Sequence, residues 1–282
     1  MILIADSGST KTDWVLVDKG TEIFFTTEGI NPLFINKEKV KEQINLNFPK
    51  GYLVSDIKNV FLYAPGCSIQ ERANLVKEPL STIFLNAKTE VKSDLLGAGR
   101  ALFNKEKGLV CILGTGSSSA FYNGKTLEQN SNSLGYILGD EASGANLGLE
   151  FIKLYLNNLL DKETHNLFYK TYGLSTKDII SKVYRDVYPN RFLASFSPFI
   201  LENLQVKSIN YLVRKSFSSF IEKHILVYPE SNTIAISFVG SIAYYFKDVL
   251  LELAEKYNIS IEKVNQKPIN DLLAYHKSDL GI

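Results

Sequence analysis

The chain has 282 residues, with Lys+Arg 31 against Asp+Glu 30, a formal net charge of +1, 45% hydrophobic residues, two Cys and three His. At roughly 100–200 residues per domain this length predicts two domains that fold on their own cores. The neutral balance excludes the basic footprint of a nucleic-acid binder and the polybasic segment of a membrane-surface protein, and two thiols exclude a four-thiolate site within one chain and fit a reducing cytoplasm.

Short apolar and β-rich runs at 2–5, 14–17 and 22–27 predict three strands, followed by a helix over 37–47. A compact apolar run at 60–63 ends in Ala64-Pro65-Gly66-Cys67, a turn signal, before a helical pattern over 69–80. Ser93 precedes an amphipathic stretch, 94–103, that it is suited to cap. Composition turns polar around 104–108, where a domain boundary is expected. Strands at 109–113 and 120–122 follow, then a nearly all-helical stretch over 144–228 broken at Gly173, Pro189 and Pro198. A strand at 233–238, a helix over 241–257 and a last helix over 268–278, opened by Pro268, complete the pattern. The N-terminus has no basic stretch and reaches Asp6 at once, so it is not read as a signal peptide, and no apolar run approaches the roughly 18–20 residues of a membrane span. A soluble, cytoplasmic chain is expected.

Asp6-Ser7-Gly8-Ser9-Thr10 and Gly114-Thr115-Gly116-Ser117-Ser118 stand about 108 residues apart, each between two strands, which suggests a duplicated strand–turn–strand. Small residues in such turns let backbone N–H groups approach an anion, and their hydroxyls add donors, so a nucleotide held by two phosphate loops is one reading and two ordinary hairpin turns the other. P-loop and Rossmann fingerprints are missing; Gly97-Ala98-Gly99 falls inside a helical pattern. Asp6 directly precedes the first loop and suits either a Mg²⁺ ligand or a turn cap. Lys11 either faces the phosphates or is solvated. The three His are too far apart for a zincin-type pair, so any metal is expected on oxygen ligands.

The segments 6–12 and 113–119 resemble the phosphate 1 and phosphate 2 loops of the actin, hexokinase and Hsp70 superfamily. Leu134-Gly135-Tyr136-Ile137-Leu138-Gly139-Asp140-Glu141-Ala142-Ser143-Gly144 and Phe238-Val239-Gly240-Ser241-Ile242-Ala243 are similar to signature segments of the N-acetylglucosamine kinase and BadF/BadG/BcrA/BcrD ATPase family, in the same order over almost the whole chain.

The resemblance implies an α/β fold of two ribonuclease H-like (actin-like ATPase) domains, 1–106 and 107–267, with a helical insert at 144–230 in the second and a C-terminal helix, 268–282, packing back on the first. It implies an ATP- and Mg²⁺-dependent kinase that phosphorylates a hydroxyl, the 6-hydroxyl, of an amino sugar such as N-acetylglucosamine. Asp94, at a helix start, becomes the general base. Nucleotide contacts fall to Asp6, Gly8, Ser9, Thr10, Lys11, Thr115, Gly116, Ser117, Gly240 and Ser241, with Asp6 on the metal. Sugar contacts fall to Asn31, Gly135 and Asp140, with Glu141 beside them, behind the site or capping the helix near Gly144. Leu134 stands where Trp would be unsurprising in the family, leaving the sugar's identity open. The alternatives are a BadF-type ATPase that passes electrons through an iron–sulfur cluster shared between subunits, and a non-catalytic nucleotide or sugar sensor. Aromatic residues in the helical insert suggest a homodimer.

Overall fold

The computed structural model describes residues 1–32, 36–130 and 133–281. It divides into two units, one of Met1–Gly108, Tyr122–Glu128 and Lys267–Ile282, the other of Leu109–Phe121 and Gln129–Gln266.

In the first unit β1 (Ile2–Ser7), β2 (Lys11–Asp18) and β3 (Thr21–Glu28) form an antiparallel meander, followed by α1 (Lys37–Asn47), β4 (Asn59–Ala64), α2 (Gln70–Ile83), β5 (Lys88–Ser93) and α3 (Asp94–Phe103). The sheet order is β3-β2-β1-β4-β5, with β1, β4 and β5 mutually parallel. Its central strands are covered on both faces, which explains the unbroken apolar runs read at 2–5 and 60–63. Leu3 and Ala5 pack with Val40 and Ile44 of α1 and with Ala73, Val76 and Leu80 of α2, while Ile4 points the other way with Val15, Val17 and Tyr63. Trp14 is fully buried, stacks on Phe25 with centroids 5.7 Å apart and donates its indole N–H to Thr27 Oγ1 at 3.0 Å. An aromatic ring so placed needs a partner for its polar edge, and Thr27 supplies it.

The second sheet begins with β6 (Gly108–Leu113), β7 (Ser117–Tyr122) and β8 (Leu127–Asn130), of which residues 122–128 count with the first unit, and leads into the helical insert of the second. The insert comprises α4 (Gly135–Leu138), α5 (Gly144–Leu156), α6 (Lys162–Tyr172), α7 (Thr176–Arg185), α8 (Pro189–Ala194), α9 (Ser197–Glu202) and α10 (Lys207–Phe220), which runs on into a π-helical turn at Ile221–Ile225. Then come β9 (Ile236–Val239), α11 (Ser241–Tyr245), α12 (Lys247–Lys256) and β10 (Ile261–Asn265). The order β10-β9-β6-β7-β8 repeats β5-β4-β1-β2-β3 strand for strand, with β9 parallel to both β6 and β10. Each unit is thus one copy of the same α/β plan, and the second carries the insert. The single helix expected over 241–257 is split at Phe246, whose φ of −99° and ψ of 22° leave the helical region.

The last helix, α13 (Ile269–Leu280), belongs to the first unit. Ile269, Leu272 and Leu273 bury against Ile4, Val15 and Val17. His276 stacks on Phe61 at 3.9 Å, and its Nε2 lies 2.8 Å from Tyr63 Oη, which also accepts from Arg100 Nη1 at 2.6 Å. Among the described residues no helix is long and apolar enough to cross a membrane.

Candidate active site

In the first unit the sequence-predicted residues gather at the carboxyl ends of the parallel strands, where open α/β sheets place their ligands. Asp6 is the next-to-last residue of β1, opposite Asp13 of β2, and after Ser7 the turn 8–10 follows, tied by a bond from Gly8 N–H to Lys11 O at 2.8 Å. Ser7 and Thr12 fasten the base of this turn. Ser7 Oγ accepts from Ile30 N–H at 2.8 Å and lies 2.8 Å from Thr12 Oγ1, which donates to Glu28 O at 3.0 Å. Gly29 lies so close that a Cβ there would stand 2.4 Å from Gly8 O, and its N–H donates to Thr10 O at 3.0 Å. The first loop and the segment carrying Asn31 are therefore one structure. Sequence reasoning missed Ser7, Thr12 and Gly29 in this role, although Gly29 stands in the quoted Glu28–Pro32 segment.

Asn31 is buried, with Oδ1 3.3 Å from where a Cβ on Gly66 would sit, in the turn after β4. Lys11 pairs with Asp13 at 2.9 Å and is about half exposed, so its charge is shared with that carboxylate. Asp94 follows β5 as the first residue of α3, which Ser93 caps by accepting from Leu96 N–H at 3.3 Å. Asp94 Oδ1 accepts from its neighbour's N–H, Leu95, at 2.9 Å. Burial pushes its carboxyl up to about 6 against these hydrogen bonds. Burial, then the charges of Asp94 and Asp13, push Asp6 up to about 7, with Lys11 opposing. A carboxylate crowded by two others and offset by one shared cation is the donor chemistry that suits a divalent ion completed by phosphates and water. Among the described residues no group of three or more His, Cys, Asp or Glu is arranged to hold a metal by itself.

In the second unit the loop 114–116 leaves β6 and is closed by Gly114 N–H donating to Gly116 O at 2.9 Å. The start of α5 is tied to it: Gly144 N–H donates to Gly114 O at 2.8 Å and Ala145 N–H to Thr115 O at 3.1 Å. Ser117 Oγ is buried and meets no partner among the described residues. A buried hydroxyl left unpaired beside such a loop fits a phosphate oxygen as its missing acceptor. Gly240, at φ 122°, presses on the strand before this loop; a Cβ there would lie 2.2 Å from Leu113 O. Ser241 opens α11 and is exposed.

Asp140 reaches the same loop. Its Oδ2 lies 3.0 Å from where a Gly116 Cβ would be, and its carboxylate accepts from the Ser117 backbone N–H. Burial raises its pKa to about 6, against that hydrogen bond. Glu141 is buried and its carboxylate is occupied, by Lys223 Nζ at 2.5 Å and His224 Nε2 at 2.9 Å. It does not cap α5: Ser143 takes that role, accepting from Asn146 N–H at 3.1 Å, because its side chain stands at the position before the first turn. Gly135, at φ 72°, opens the short α4, whose Ile137 and Leu138 are exposed. The partners Lys223 and His224 carried no sequence signal, since nothing in the run 221–225 announces a π-helical turn.

Cys111 lies fully buried in β6 and Cys67 is buried after β4, and burial pushes both thiols up, Cys67 to about 12. Thiols held protonated inside two cores are unsuited to a cluster shared across a subunit boundary.

No family model and no curated protein matches the sequence. Among solved structures, a candidate N-acetylglucosamine kinase from Porphyromonas gingivalis is 38% identical, covers 99% of this chain and 100% of its own, and superposes with a TM-score of 0.94. This chain belongs to the N-acetylglucosamine kinase family. Its enzyme class is that of the family, the ATP-dependent sugar kinases. A second N-acetylglucosamine kinase candidate, from Chromobacterium violaceum, shares the fold at 17% identity and a TM-score of 0.72, covering 97% and 98% of the two chains. A ROK family glucokinase from Streptomyces griseus, solved with glucose and AMPPNP, shares it at 16% identity and a TM-score of 0.58, covering 99% and 98%.

Proposed function

We propose that this chain transfers the γ-phosphoryl group of ATP to the 6-hydroxyl of an amino sugar of the N-acetylglucosamine class, with Asp94 as general base. The observation that carries the reading is Asp94 itself: a carboxylate at a helix start, after a parallel strand, with a pKa raised to about 6 by burial. Such a group is unprotonated at neutral pH yet basic enough to take a proton from an alcohol in the transition state. In the transfer, the sugar O–H gives its proton to Asp94, the oxygen forms a bond to the γ-phosphorus, and the bond from that phosphorus to the bridging oxygen breaks, releasing ADP.

The donors of each unit have separate tasks. Gly8, Ser9, Thr10 and Lys11 in the first loop, and Thr115, Gly116 and the unpaired Ser117 hydroxyl in the second, bind phosphate oxygens. Gly240 and Ser241 line the nucleoside. Asp6 would hold Mg²⁺, which supplies neutralising charge on the phosphoryl oxygens when bound. Asn31, with an amide that both donates and accepts, Gly135 through its backbone, and Asp140 recognise sugar hydroxyls. Glu141 serves them from behind, its own oxygens being taken. The two units are read as the two ATPase domains, and a cytoplasmic homodimer without nucleic-acid or membrane partners goes with the reading.

The test is product analysis. Incubation with ATP, Mg²⁺ and N-acetylglucosamine should yield a sugar 6-phosphate by phosphorus–proton correlation spectra; phosphate on another hydroxyl would contradict the assigned regiochemistry.

A further inference from the structure

The turn that reaches the second loop is bent against its own preference. Asp140 at φ 53° and Ala142 at φ 58° flank Glu141, and both lie in the left-handed region, where a Cβ crowds the following carbonyl. Backbone of this kind persists where its surroundings over-determine it, and such sites cluster at functional centres. Two contacts do this here. Ala142 N–H donates to Ser216 Oγ of α10 at 2.9 Å, and Glu141 is gripped by Lys223 and His224. Lys223 is 61% exposed, so its pairing is solvent-screened, whereas the His224 and Glu141 side chains are 8% and 11% exposed. His224 is the firm partner.

His224 comes from the π-helical turn at Ile221–Ile225, a form in which one extra residue per turn re-aims a side chain. It makes two contacts at once. Its ring, stacked on Phe220, holds Glu141, while its backbone carbonyl accepts from Ser119 Oγ of β7 at 2.7 Å. Ser119 lies two residues beyond Ser117, whose N–H is the donor to Asp140. One residue thus fixes both the acceptor and the strand that carries the donor. Burial pushes the Glu141 carboxyl up, but the hydrogen bonds from Lys223 and His224 outweigh it and the net shift is downward. Glu141 is therefore the ionised acceptor, and His224 Nε2 carries the donated proton.

We propose that His224 is a positioning residue for the loop 114–116: through Glu141 it holds Asp140 in place against Ser117, so that the loop keeps the shape in which it binds nucleotide phosphate. The proposal rests on the nucleotide-binding reading of that loop. It assigns His224 no contact with substrate.

The experiment compares wild type, His224→Ala, His224→Gln and Glu141→Gln in two ways. Amide hydrogen exchange without nucleotide reads the Ser117 N–H, and calorimetric titration with a non-hydrolysable ATP analogue reads affinity. His224→Ala should release Ser117 exchange and weaken the analogue about tenfold, with exchange in β9 and α12 unchanged. His224→Gln retains a donor near the Nε2 position and should recover to within about threefold of wild type. Glu141→Gln tests the same link with little change of shape and should weaken the analogue in the same direction, which keeps the proposal open to refutation if His224→Ala does not fold. Unchanged Ser117 exchange and analogue affinity in His224→Ala overturns the proposal, as does exchange raised evenly across the second unit, the mark of a merely structural residue. Wild type that binds no analogue also overturns it. Analogue binding without any sugar phosphorylation would instead defeat the kinase reading while the titration still decides the role of His224.

Discussion

Asp94 raises the proton affinity of Asp6: after burial, its charge is the largest influence pushing the Asp6 carboxyl up to about 7. In the proposed reading these two carboxyls, one near the end of β1 and one at the start of α3, would do different work, Asp6 meeting a cation and Asp94 accepting a proton.

Activity should follow the Asp94 proton. Its pKa is raised to about 6, so the base is protonated and idle below that value and free above it. With saturating Mg²⁺, kcat/KM for sugar should fall about tenfold per pH unit below pH 6 and level off above it. A profile flat from pH 5 to pH 8 would contradict the assignment.

Asp6 predicts a linkage between pH, metal and stability. Because its folded pKa of about 7 exceeds the ordinary 3.8, the folded chain binds more protons than the unfolded chain between those values. Stability attributable to Asp6 is therefore present at low pH and is lost as pH rises from about 4 to 7. Asp6→Asn should remove that slope from the wild-type curve of Tm against pH, and Mg²⁺ should raise Tm at pH 8 in wild type but not in the variant. A Mg²⁺ effect retained in Asp6→Asn would assign the metal elsewhere.

Gly240→Ala should damage the second unit. Its φ of 122° disfavours any side chain, and the new Cβ would meet Leu113 O at 2.2 Å. Strain of this kind costs about 1–3 kcal/mol before the contact is counted. Calorimetry should read a Tm lowered by several degrees, whereas an unchanged Tm would contradict the described backbone.

Leu272→Ala probes whether α13 is integral to the first unit. Leu272 is fully buried against Ile4 and Val17, and truncating such a side chain costs about 2–5 kcal/mol. Urea unfolding should read a loss in that range. A loss below the error of the measurement would show that α13 is dispensable.

The interior of each sheet was legible because β1, β4 and β6 are apolar along their length. Three strands were not read: β5, β8 and β10, which are all sheet edges. An edge strand pairs on one side only and tolerates charge, so Lys88-Thr89-Glu90-Val91-Lys92 and Ile261-Glu262-Lys263-Val264 look like solvated loop. The helix break at Phe246 has no Gly or Pro to mark it. At the candidate site, the loop glycines, Asp6 and the Ser93 cap stand out by position and residue type, whereas Asp94 and Asn31 stand out only through the family resemblance, since by position alone they read as a helix cap and a turn residue. The clamp on Glu141 did not, because Lys223 and His224 lie about eighty residues further along the chain and reach it through a π-helical turn that tertiary packing sets.

The most direct test of the central claim is ADP release measured across a panel of amino sugars for wild type and Asp94→Asn. Sugar-stimulated turnover is expected in wild type and should fall by about 10²–10⁴ in Asp94→Asn while sugar binding by titration is retained. Sugar-stimulated turnover that survives in Asp94→Asn would contradict the claim.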